Sequence, residues 1–237
     1  KKLEEQVRRA DRLAVVGELA AGVAHEVRNP LTAITGYLQL LAVDYDENDP
    51  RKEFTRIISK EIDRLNHLIE QLLYFSRPLP PQFILADINK IIQETLLLID
   101  NPAVRKKVTI DTVFASNLPL VKVDPVQIKQ VLLNIILNGL QAIESTGTLT
   151  LRTSFDTTSH HVCIEIIDTG TGIPPENIPR LFDPFYTTKE KGTGLGLAVA
   201  DKIMEVHQGY IKVSSELGAG TCFSLYLPVK QEVKNNA

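Results

Sequence analysis

A histidine with polar neighbours stands near the start of the chain. Glu26 follows His25 directly, and Asn29 lies four residues after it, which is about one turn of a helix. A neutral imidazole is a competent nucleophile, and a carboxylate bonded to its Nδ1–H would leave Nε2 free to attack. His25 is therefore the candidate nucleophile, with Glu26 as its general base or orienting group.

Two asparagines lie four residues apart in an otherwise apolar helical segment, at Asn134 and Asn138. They share one face of the helix, and burying two amides there is costly unless both find partners. Carboxamide oxygens suit a Mg²⁺ ion that carries nucleotide phosphates. The alternative is a pair of amides satisfied by hydrogen bonds inside the protein.

An acidic residue and two glycines follow a predicted strand, at Asp168, Gly170 and Gly172. A carboxylate at a strand end accepts a hydrogen bond from an exocyclic amine such as that of adenine. The glycines allow the backbone to approach a flat ligand closely. An ordinary turn shows the same pattern, so these three residues alone leave both interpretations open.

A second glycine-rich stretch opens a helix predicted for residues 193–207. Its residues are Gly192, Thr193, Gly194, Leu195 and Gly196. Backbone N–H groups at a helix N-terminus bind phosphate well. No Gly-Lys-Ser/Thr sequence follows and no strand immediately precedes, which excludes a P-loop and a dinucleotide fingerprint. A flexible loop is the alternative.

Residues 182–196 are predicted to form a mobile lid. The aromatic side chains of Phe182, Phe185 and Tyr186 would pin one end, and Lys189 and Lys191 would reach phosphates. Several glycines and few apolar anchors after the aromatic residues favour mobility. The alternative is a surface loop with buried phenylalanines.

The elements that must position these residues differ along the chain. The first 76 residues read as two amphipathic helices that form an antiparallel hairpin. Apolar or small residues recur in alternating steps of three and four, with one additional three-residue step beside Pro30, which predicts a bend at His25. One hairpin has too little core to stand alone, so the pattern predicts a homodimer with a four-helix bundle. The apolar seam comprises Leu3, Val7, Ala10, Ala14, Gly17, Ala21, Ala24, Val27, Leu31, Ile34, Leu38 and Leu41.

From Phe83 onward the pattern predicts an α+β sandwich, in which a helical layer covers one largely antiparallel sheet. Asp124 and Pro125 mark the start of its strongest helix, as N-cap and first helical residue. The predicted helices span residues 88–99, 125–143 and 193–207, and the predicted strands span 108–113, 120–123, 149–155, 162–167, 210–214 and 221–227. The chain is thereby divided into a hairpin (1–76), a stiff linker (77–82), an α+β domain (83–230) and a tail (231–237).

Composition narrows the functional class. The chain has 26 basic and 29 acidic residues and a net charge of −3, so nucleic acid is not an expected partner. No apolar run approaches the ~18–20 residues of a membrane span, and no signal-peptide pattern is present. Cys163 and Cys222 lie in apolar alternating segments and are expected to be core residues in a reducing compartment. We expect a cytoplasmic chain that is the C-terminal part of a longer protein.

Taken together, the motifs resemble those of the catalytic core of bacterial two-component sensor histidine kinases. Residues 25–31 resemble the family's H box, 134–138 its N box, 168–172 its G1 box, 182–185 its F box and 192–196 its G2 box. Five motifs in this order and at this spacing cover nearly the whole chain. The form of the H box is similar to that of nitrogen-regulation and sporulation kinases, and a sporulation kinase is the favoured subgroup.

The resemblance implies a multidomain protein of α and α+β type. The antiparallel helical hairpin would form a dimeric four-helix bundle for dimerisation and histidine phosphotransfer, and the α/β sandwich would be an ATP-binding domain of the gyrase/Hsp90-like fold. The implied activity is ATP-dependent autophosphorylation of His25, followed by transfer to an aspartate of a response regulator. The implied partners are a second copy of the chain, the receiver domain of the regulator and a regulatory inhibitor protein on the bundle. Whether the full-length protein is anchored in a membrane is left open.

The same resemblance assigns roles to the site residues. Asp168 would bind the adenine amino group, and Asn138 would hold Mg²⁺ with Asn134 close to the metal and the phosphates. The two glycine-rich stretches, with Lys189 and Lys191, would complete the ATP site. Asn29 corresponds to the threonine or asparagine of members that dephosphorylate their regulator.

Two positions distinguish this chain within the resemblance. Relatives that hydrolyse ATP carry a water-activating glutamate where this chain has Asn134, which argues against a free-standing ATPase. Many family members carry a basic residue where this chain has Gln141. Lys189, Lys191 or Lys129 would then supply charge to the phosphates, and the residues alone do not choose between them.

Two other functions are compatible with parts of the sequence. One is a gyrase/Hsp90-like ATPase that works by ATP-driven clamping, which His25 and Asn134 disfavour. The other is a degenerate kinase that serves as a coiled-coil scaffold, for which eroded motifs would be expected. All five motifs are intact.

Overall fold

The computed structural model describes residues 27, 30–41, 49–76, 80–99, 108–189 and 192–229. The chain divides into two compact units between Leu79 and Pro80. Within the described ranges, no helix is both long and apolar enough to cross a membrane.

The first unit contains helix α1, residues 30–41, and helix α2, Pro50–Ser76. Leu31 and Leu38 lie two turns apart on α1 and are both buried in a cluster with Ile62 of α2, against which Ile69 also packs. The predicted antiparallel hairpin is confirmed for these residues. The earlier part of the apolar seam and the bend at His25 lie outside the described residues.

Helix α2 begins at Pro50. Proline is favoured at this position, since its missing N–H would have no partner within the helix. Asp49 stabilises the start: its carboxylate accepts the backbone N–H of Arg51 at 2.8 Å, and its backbone carbonyl accepts that of Lys52 at 3.0 Å.

Large apolar side chains remain exposed on both helices of the single hairpin. Extended exposed apolar surface on a small unit is typical of an interaction surface, and it agrees with the predicted need for a second hairpin. These residues are Ile34, Tyr37, Leu40, Leu41, Phe54, Ile57, Ile58 and Leu65, and Val27 before α1 is exposed as well.

The second unit contains seven strands in the described ranges. They are β1 (Ile84–Ala86), β2 (Val108–Val113), β3 (Val121–Val123), β4 (Gly147–Asp156), β5 (His161–Asp168), β6 (Tyr210–Glu216) and β7 (Gly220–Pro228). Five of them form one sheet in the order β2-β4-β5-β7-β6, in which only β2 and β4 are parallel. Strands β1 and β3 form a separate antiparallel pair.

Three helices pack with this sheet: α3 (Ile88–Leu98), α4 (Pro125–Ala142) and α5 (Gly196–Val206). Helix α4 is central, because it contacts α3, α5 and the strands β4, β5 and β7. Alternate residues of β5, namely Val162, Ile164 and Ile166, are almost completely buried, as expected for a strand with one face in the core. The predicted helical layer on one sheet is confirmed.

Two details differ from the sequence prediction. Strand β1 was not predicted, because three residues are too few to show an alternation. The helix expected from Thr193 begins only at Gly196, since Gly194 has φ +66°, a left-handed conformation that an α-helix excludes.

A buried histidine connects the ends of two helices. His207 follows α5 and is only 4% exposed. Its Nε2 lies 3.0 Å from the backbone N–H of Asp124, the N-cap of α4, and its Nδ1 lies 2.8 Å from the carbonyl of Ile203. Because a backbone N–H can only donate, Nε2 must accept, and the proton is therefore on Nδ1. His207 is the C-cap residue of α5, and its imidazole is neutral in this arrangement.

Burial is the largest influence on the pKa of His207 and lowers it below 6.5, against the raising effects of the Ile203 carbonyl and the Asp124 charge. The unfolded chain therefore takes up this proton at a higher pH than the folded chain. The histidine's contribution to stability is complete above about pH 6.5 and is lost as the pH falls below that value.

We therefore expect the free energy of unfolding to decrease between pH 7 and pH 5.5, by at most about 1.4 kcal/mol per pH unit from this residue. Urea denaturation at a series of pH values measures this. His207→Gln is the matched variant, because glutamine can keep both hydrogen bonds but does not titrate. An unchanged pH slope in that variant would contradict the assignment to His207.

Candidate functional site

Asp168 is placed by the alternation of strand β5. It has the same parity as the buried residues Val162, Ile164 and Ile166, so its side chain points to the helix-covered face of the sheet. It is 4% exposed. Helix α4 passes over it at Gly139, where an added Cβ would lie 3.4 Å from the Asp168 Cβ and 2.9 Å from Leu149 Cδ1. The absence of a side chain at Gly139 therefore lets the helix approach the carboxylate.

The Asp168 carboxylate is largely removed from solvent. Burial is the largest influence on its pKa and raises it, whereas the backbone N–H groups of Gly170 and Thr221 and the charge of Lys189 oppose that effect. The contact with Gly170 is a hydrogen bond of 2.9 Å to Oδ1. A buried carboxylate with few partners is a strong acceptor for a ligand N–H.

The loop after Asp168 is packed against other parts of the same chain. An added Cβ at Gly170 would lie 2.6 Å from the carbonyl oxygen of Ala142, and one at Gly172 (φ +70°) would collide with the Glu216 carbonyl. The N–H of Thr171 also donates to the Ala142 carbonyl at 3.1 Å. Packing inside the protein thus accounts for both glycines, whereas their predicted contact with a flat ligand stays a prediction.

The two asparagines of α4 have different partners. Asn134 is 6% exposed, and its Nδ2 donates to the Gly196 carbonyl at 2.9 Å. Asn138 is half-buried, and its Oδ1 accepts the Lys189 ammonium at 2.8 Å. Neither contact is a hydrogen bond from one asparagine to the other. Asn134 instead joins α4 to the start of α5.

The ends of the predicted lid meet. The N–H of Phe185 donates to the Gly194 carbonyl at 3.0 Å, and an added Cβ at Gly194 would lie 2.6 Å from the Tyr186 nitrogen. Tyr186 also donates to Asn177 Oδ1 at 2.7 Å, and the Arg180 guanidinium lies 4.3 Å from the Tyr186 ring centre. Phe185 itself is 52% exposed, so the alternative of buried phenylalanines does not describe this residue.

Lys189 reaches from the lid to helix α4. Its ammonium donates to Asn138 Oδ1 at 2.8 Å and to Gln141 Oε1 at 2.7 Å. The residue as a whole is exposed, but partial burial of the ammonium lowers its pKa, against the opposing charge of Asp168. Of Lys129 and Lys189, the two of these lysines that the structure describes, Lys189 is the one whose ammonium lies beside Asn138. Lys129 instead forms an ion pair with Glu94 at 2.6 Å.

Helix α5 starts at Gly196 without a side-chain cap. Its N-terminal N–H groups cannot all be satisfied within the helix, and the partial positive charge there favours an anion. The Asn134 contact places this end beside α4. The glycine-rich stretch of residues 192–196 thus contacts Phe185 at Gly194 and the asparagine helix at Gly196.

The structure brings together most of the residues singled out in the α+β unit. Asp168, Asn134, Asn138, Lys189 and the two glycine-rich stretches lie on or around α4. His25, Glu26, Asn29 and Lys191 lie outside the described residues.

Sequence reasoning missed the role of Gly139 and named Gln141 only as a departure from the family pattern. Gly139 had a usable signal, because glycine in the interior of a helix is unfavourable without a packing reason. The contact of Gln141 had no such signal, because its partner Lys189 is 48 residues away along the sequence.

The donor set is compatible with magnesium carried by a nucleotide. The described residues contain no cluster of three or more His, Cys, Asp or Glu side chains that could hold a metal ion by themselves. Mg²⁺ is commonly bound by one or two protein oxygens together with phosphates and waters. Asn138 Oδ1 already accepts from a cation, the Lys189 ammonium, so its oxygen is directed to where a positive charge can lie.

Comparison with known families identifies both parts of the chain. Residues 15–80 match the family described as His Kinase A (phospho-acceptor) domain. Residues 123–231 match the family described as histidine kinase-, DNA gyrase B- and HSP90-like ATPase. The class of protein is therefore one with a phospho-acceptor domain followed by an ATP-binding domain.

Curated relatives specify the class further. The chain is 42% identical over 233 residues to the signal transduction histidine-protein kinase AtoS of Escherichia coli (strain K12), matching 98% of this chain and 38% of that protein. It is 37% identical to sporulation kinase C of Bacillus subtilis (strain 168), over 97% of this chain and 53% of that protein. The chain thus spans about half or less of the length of these two relatives. It belongs to the two-component sensor histidine kinases, which confirms the family predicted from sequence.

Solved structures agree with this assignment. Full-length ShkA in complex with AMPPNP has a TM-score of 0.76 and 27% identity, with 89% of this chain and 45% of that chain covered. Histidine kinase ThkA in complex with the response regulator protein TrrA has a TM-score of 0.67 and 29% identity, with 98% and 67% covered. The match to a phospho-acceptor domain does not favour a clamping ATPase, for which no such domain is needed.

Proposed function

We propose that the chain is the catalytic part of a protein-histidine kinase that phosphorylates its own His25 and passes the phosphoryl group to an aspartate of a response regulator. One observation carries the ATP-dependent half. A buried carboxylate, an asparagine oxygen that accepts from a cation and an uncapped helix N-terminus are assembled around one helix of the ATP-binding domain. The phospho-acceptor family match supports the other half.

The ATP-binding unit offers a different chemical group to each part of the nucleotide. Asp168 accepts a hydrogen bond from the exocyclic amine of adenine. The first turn of α5 and Lys189 face the phosphates, and we include Lys191 and the glycine-rich stretch of residues 192–196 in this part of the site. Asn138, with Asn134 nearby, holds Mg²⁺, which would neutralise phosphate charge when bound.

The residues also explain why phosphate would pass to histidine and not to water. The amide of Asn134 cannot act as a general base, and its Nδ2 is occupied by the Gly196 carbonyl. His25 Nε2 attacks the γ-phosphorus, the bond to the β-phosphate oxygen breaks and ADP leaves. Glu26 holds the Nδ1–H or takes up the proton. A regulator aspartate then attacks the phosphorus and regenerates the free histidine.

The remaining proposals concern the hairpin and the organisation of the chain. The exposed apolar residues of α1 and α2 support a homodimer through a four-helix bundle, and this bundle would receive the regulator and a regulatory inhibitor protein. We retain the division into a hairpin (1–76), a linker (77–82), an ATP-binding domain (83–230) and a tail (231–237), together with a cytoplasmic location. Two sporulation kinases among the relatives support the predicted subgroup.

His25→Gln tests the phosphorylation site. We expect it to abolish incorporation of label from γ-labelled ATP, because glutamine has no nucleophilic nitrogen of comparable reactivity, while nucleotide binding stays within error of the parent. Label on the parent should be acid-labile and alkali-stable, as phosphohistidine is. Full labelling of the variant would show that another residue is phosphorylated.

Asp168→Asn tests the adenine contact. Loss of a charge-assisted hydrogen bond costs about 1.5–3 kcal/mol, which corresponds to ~10–150-fold weaker ATP binding. Titration calorimetry measures it. Asp111→Asn, an exposed position on β2, is the matched control and should leave the affinity unchanged. Equal affinities in all three proteins would mean that the site is misplaced.

Asn29→Ala tests a phosphatase role. A carboxamide one turn from His25 could position water in line with a regulator's aspartyl phosphate. On this proposal the variant keeps autophosphorylation and phosphotransfer but loses regulator dephosphorylation. If Asn29 only bonds to the backbone carbonyl freed by Pro30, the melting temperature and all three rates should fall together, which would overturn the proposal.

A further inference from the structure

One cation of the lid lies between two neutral oxygens of α4. Asn138 and Gln141 are three residues apart and therefore neighbours on the helix surface. Their side-chain oxygens accept from the same ammonium, that of Lys189, at 2.8 and 2.7 Å. Through this contact the Lys189 side chain ties the lid to α4.

The proposed function assigns different roles to the side-chain oxygens of Asn138 and Gln141. Asn138 Oδ1 is the proposed ligand of Mg²⁺, which binds oxygen at about 2.0–2.1 Å. A metal at that distance and an ammonium at hydrogen-bond distance would repel each other strongly across one oxygen. Lys189 must therefore leave Asn138 when the metal arrives, whereas its contact with Gln141 has no such competitor.

We propose that Gln141 is a positioning residue that keeps the Lys189 ammonium beside α4 when the Asn138 oxygen binds the metal. The proposal rests on the proposed function. In the nucleotide-free protein, Lys189 donates to the metal-binding oxygen and tethers the lid. When the magnesium nucleotide is bound, Gln141 keeps the same ammonium beside α4, and the ammonium faces the phosphates.

The chemistry of glutamine suits this role. Its amide oxygen is neutral, so it holds an ammonium without cancelling its charge toward phosphate. A carboxylate at this position would hold Lys189 more strongly but neutralise it and repel the nucleotide. An apolar side chain would remove the oxygen that keeps the ammonium beside α4 once Asn138 binds the metal.

The experiment uses Gln141→Leu and Gln141→Glu, each also in a Lys189→Met background, with Gln93→Leu as the control at an exposed position on α3. The first readout is hydrogen exchange of the lid amides, residues 186–195, in the nucleotide-free protein. The second is calorimetric titration with magnesium and AMPPNP. The first readout needs no nucleotide and so reports on the tether alone.

For Gln141→Leu we expect lid exchange about threefold to tenfold faster and binding weaker by a similar factor, since the contact is an exposed charge-assisted hydrogen bond. For Gln141→Glu we expect slower lid exchange together with weaker binding. Gln93→Leu should match the parent. With Lys189→Met present, Gln141→Leu should change neither readout further.

Slower lid exchange together with weaker nucleotide binding in Gln141→Glu is a combination that a merely structural role would not produce. Equal lid exchange in the parent and Gln141→Leu would overturn the proposal. So would a binding loss for Gln141→Leu of the same size with and without Lys189, because Gln141 would then act by another route. A parent that binds no magnesium nucleotide would overturn the proposed function, while lid exchange would still decide whether Gln141 holds Lys189.

Discussion

The close contact between helix α4 and strand β5 is the constraint on which the site depends. Gly139 passes directly over Asp168 and Leu149, and a single added Cβ would be too close to the Leu149 side chain. The apolar alternation of β5 requires a covering helix, since exposing those side chains would forfeit the main favourable term of folding. Asp168 ends the same buried row, so the packing that forms the core also desolvates the carboxylate.

The same contact sets the positions of the other α4 residues. From Asn134 to Gln141 a helix rises by about 10 Å. Asn134, Asn138 and Gln141 therefore follow one another along the helix whose Gly139 covers Asp168. Asn134, Asn138 and Gln141 are amides without net charge, and the cation beside them, Lys189, is contributed by another segment. A cation fixed on α4 would be present in every state, whereas one carried on a loop can move when a ligand arrives.

Glycine has a different cause at each position. At Gly139 it allows two elements to approach, and at Gly170 it makes room for a helix end. At Gly194 it supplies a left-handed φ that stops the helix from starting sooner, and the Gly194 carbonyl accepts the Phe185 N–H. Contacts within the protein therefore account for these glycines, including the two that belong to the glycine-rich stretches predicted to bind the ligand.

The amino-acid sequence by itself determined which residues could do chemistry, the family and the main elements of the fold. Alternation defined β4, β5 and β7, and Asp124 with Pro125 defined the start of α4, because these signals depend only on neighbouring residues. Only the tertiary structure decided that His207 is neutral and buried, that β1 pairs with β3, and that Lys189 and not Lys129 lies beside Asn138. Each of these depends on partners distant in the chain: Asp124 for His207, β3 for β1, Asn138 and Gln141 for Lys189. Spacing along a sequence carries no information on such contacts, since burial and charge are set by the elements that fold around a side chain and not by its neighbours in the chain.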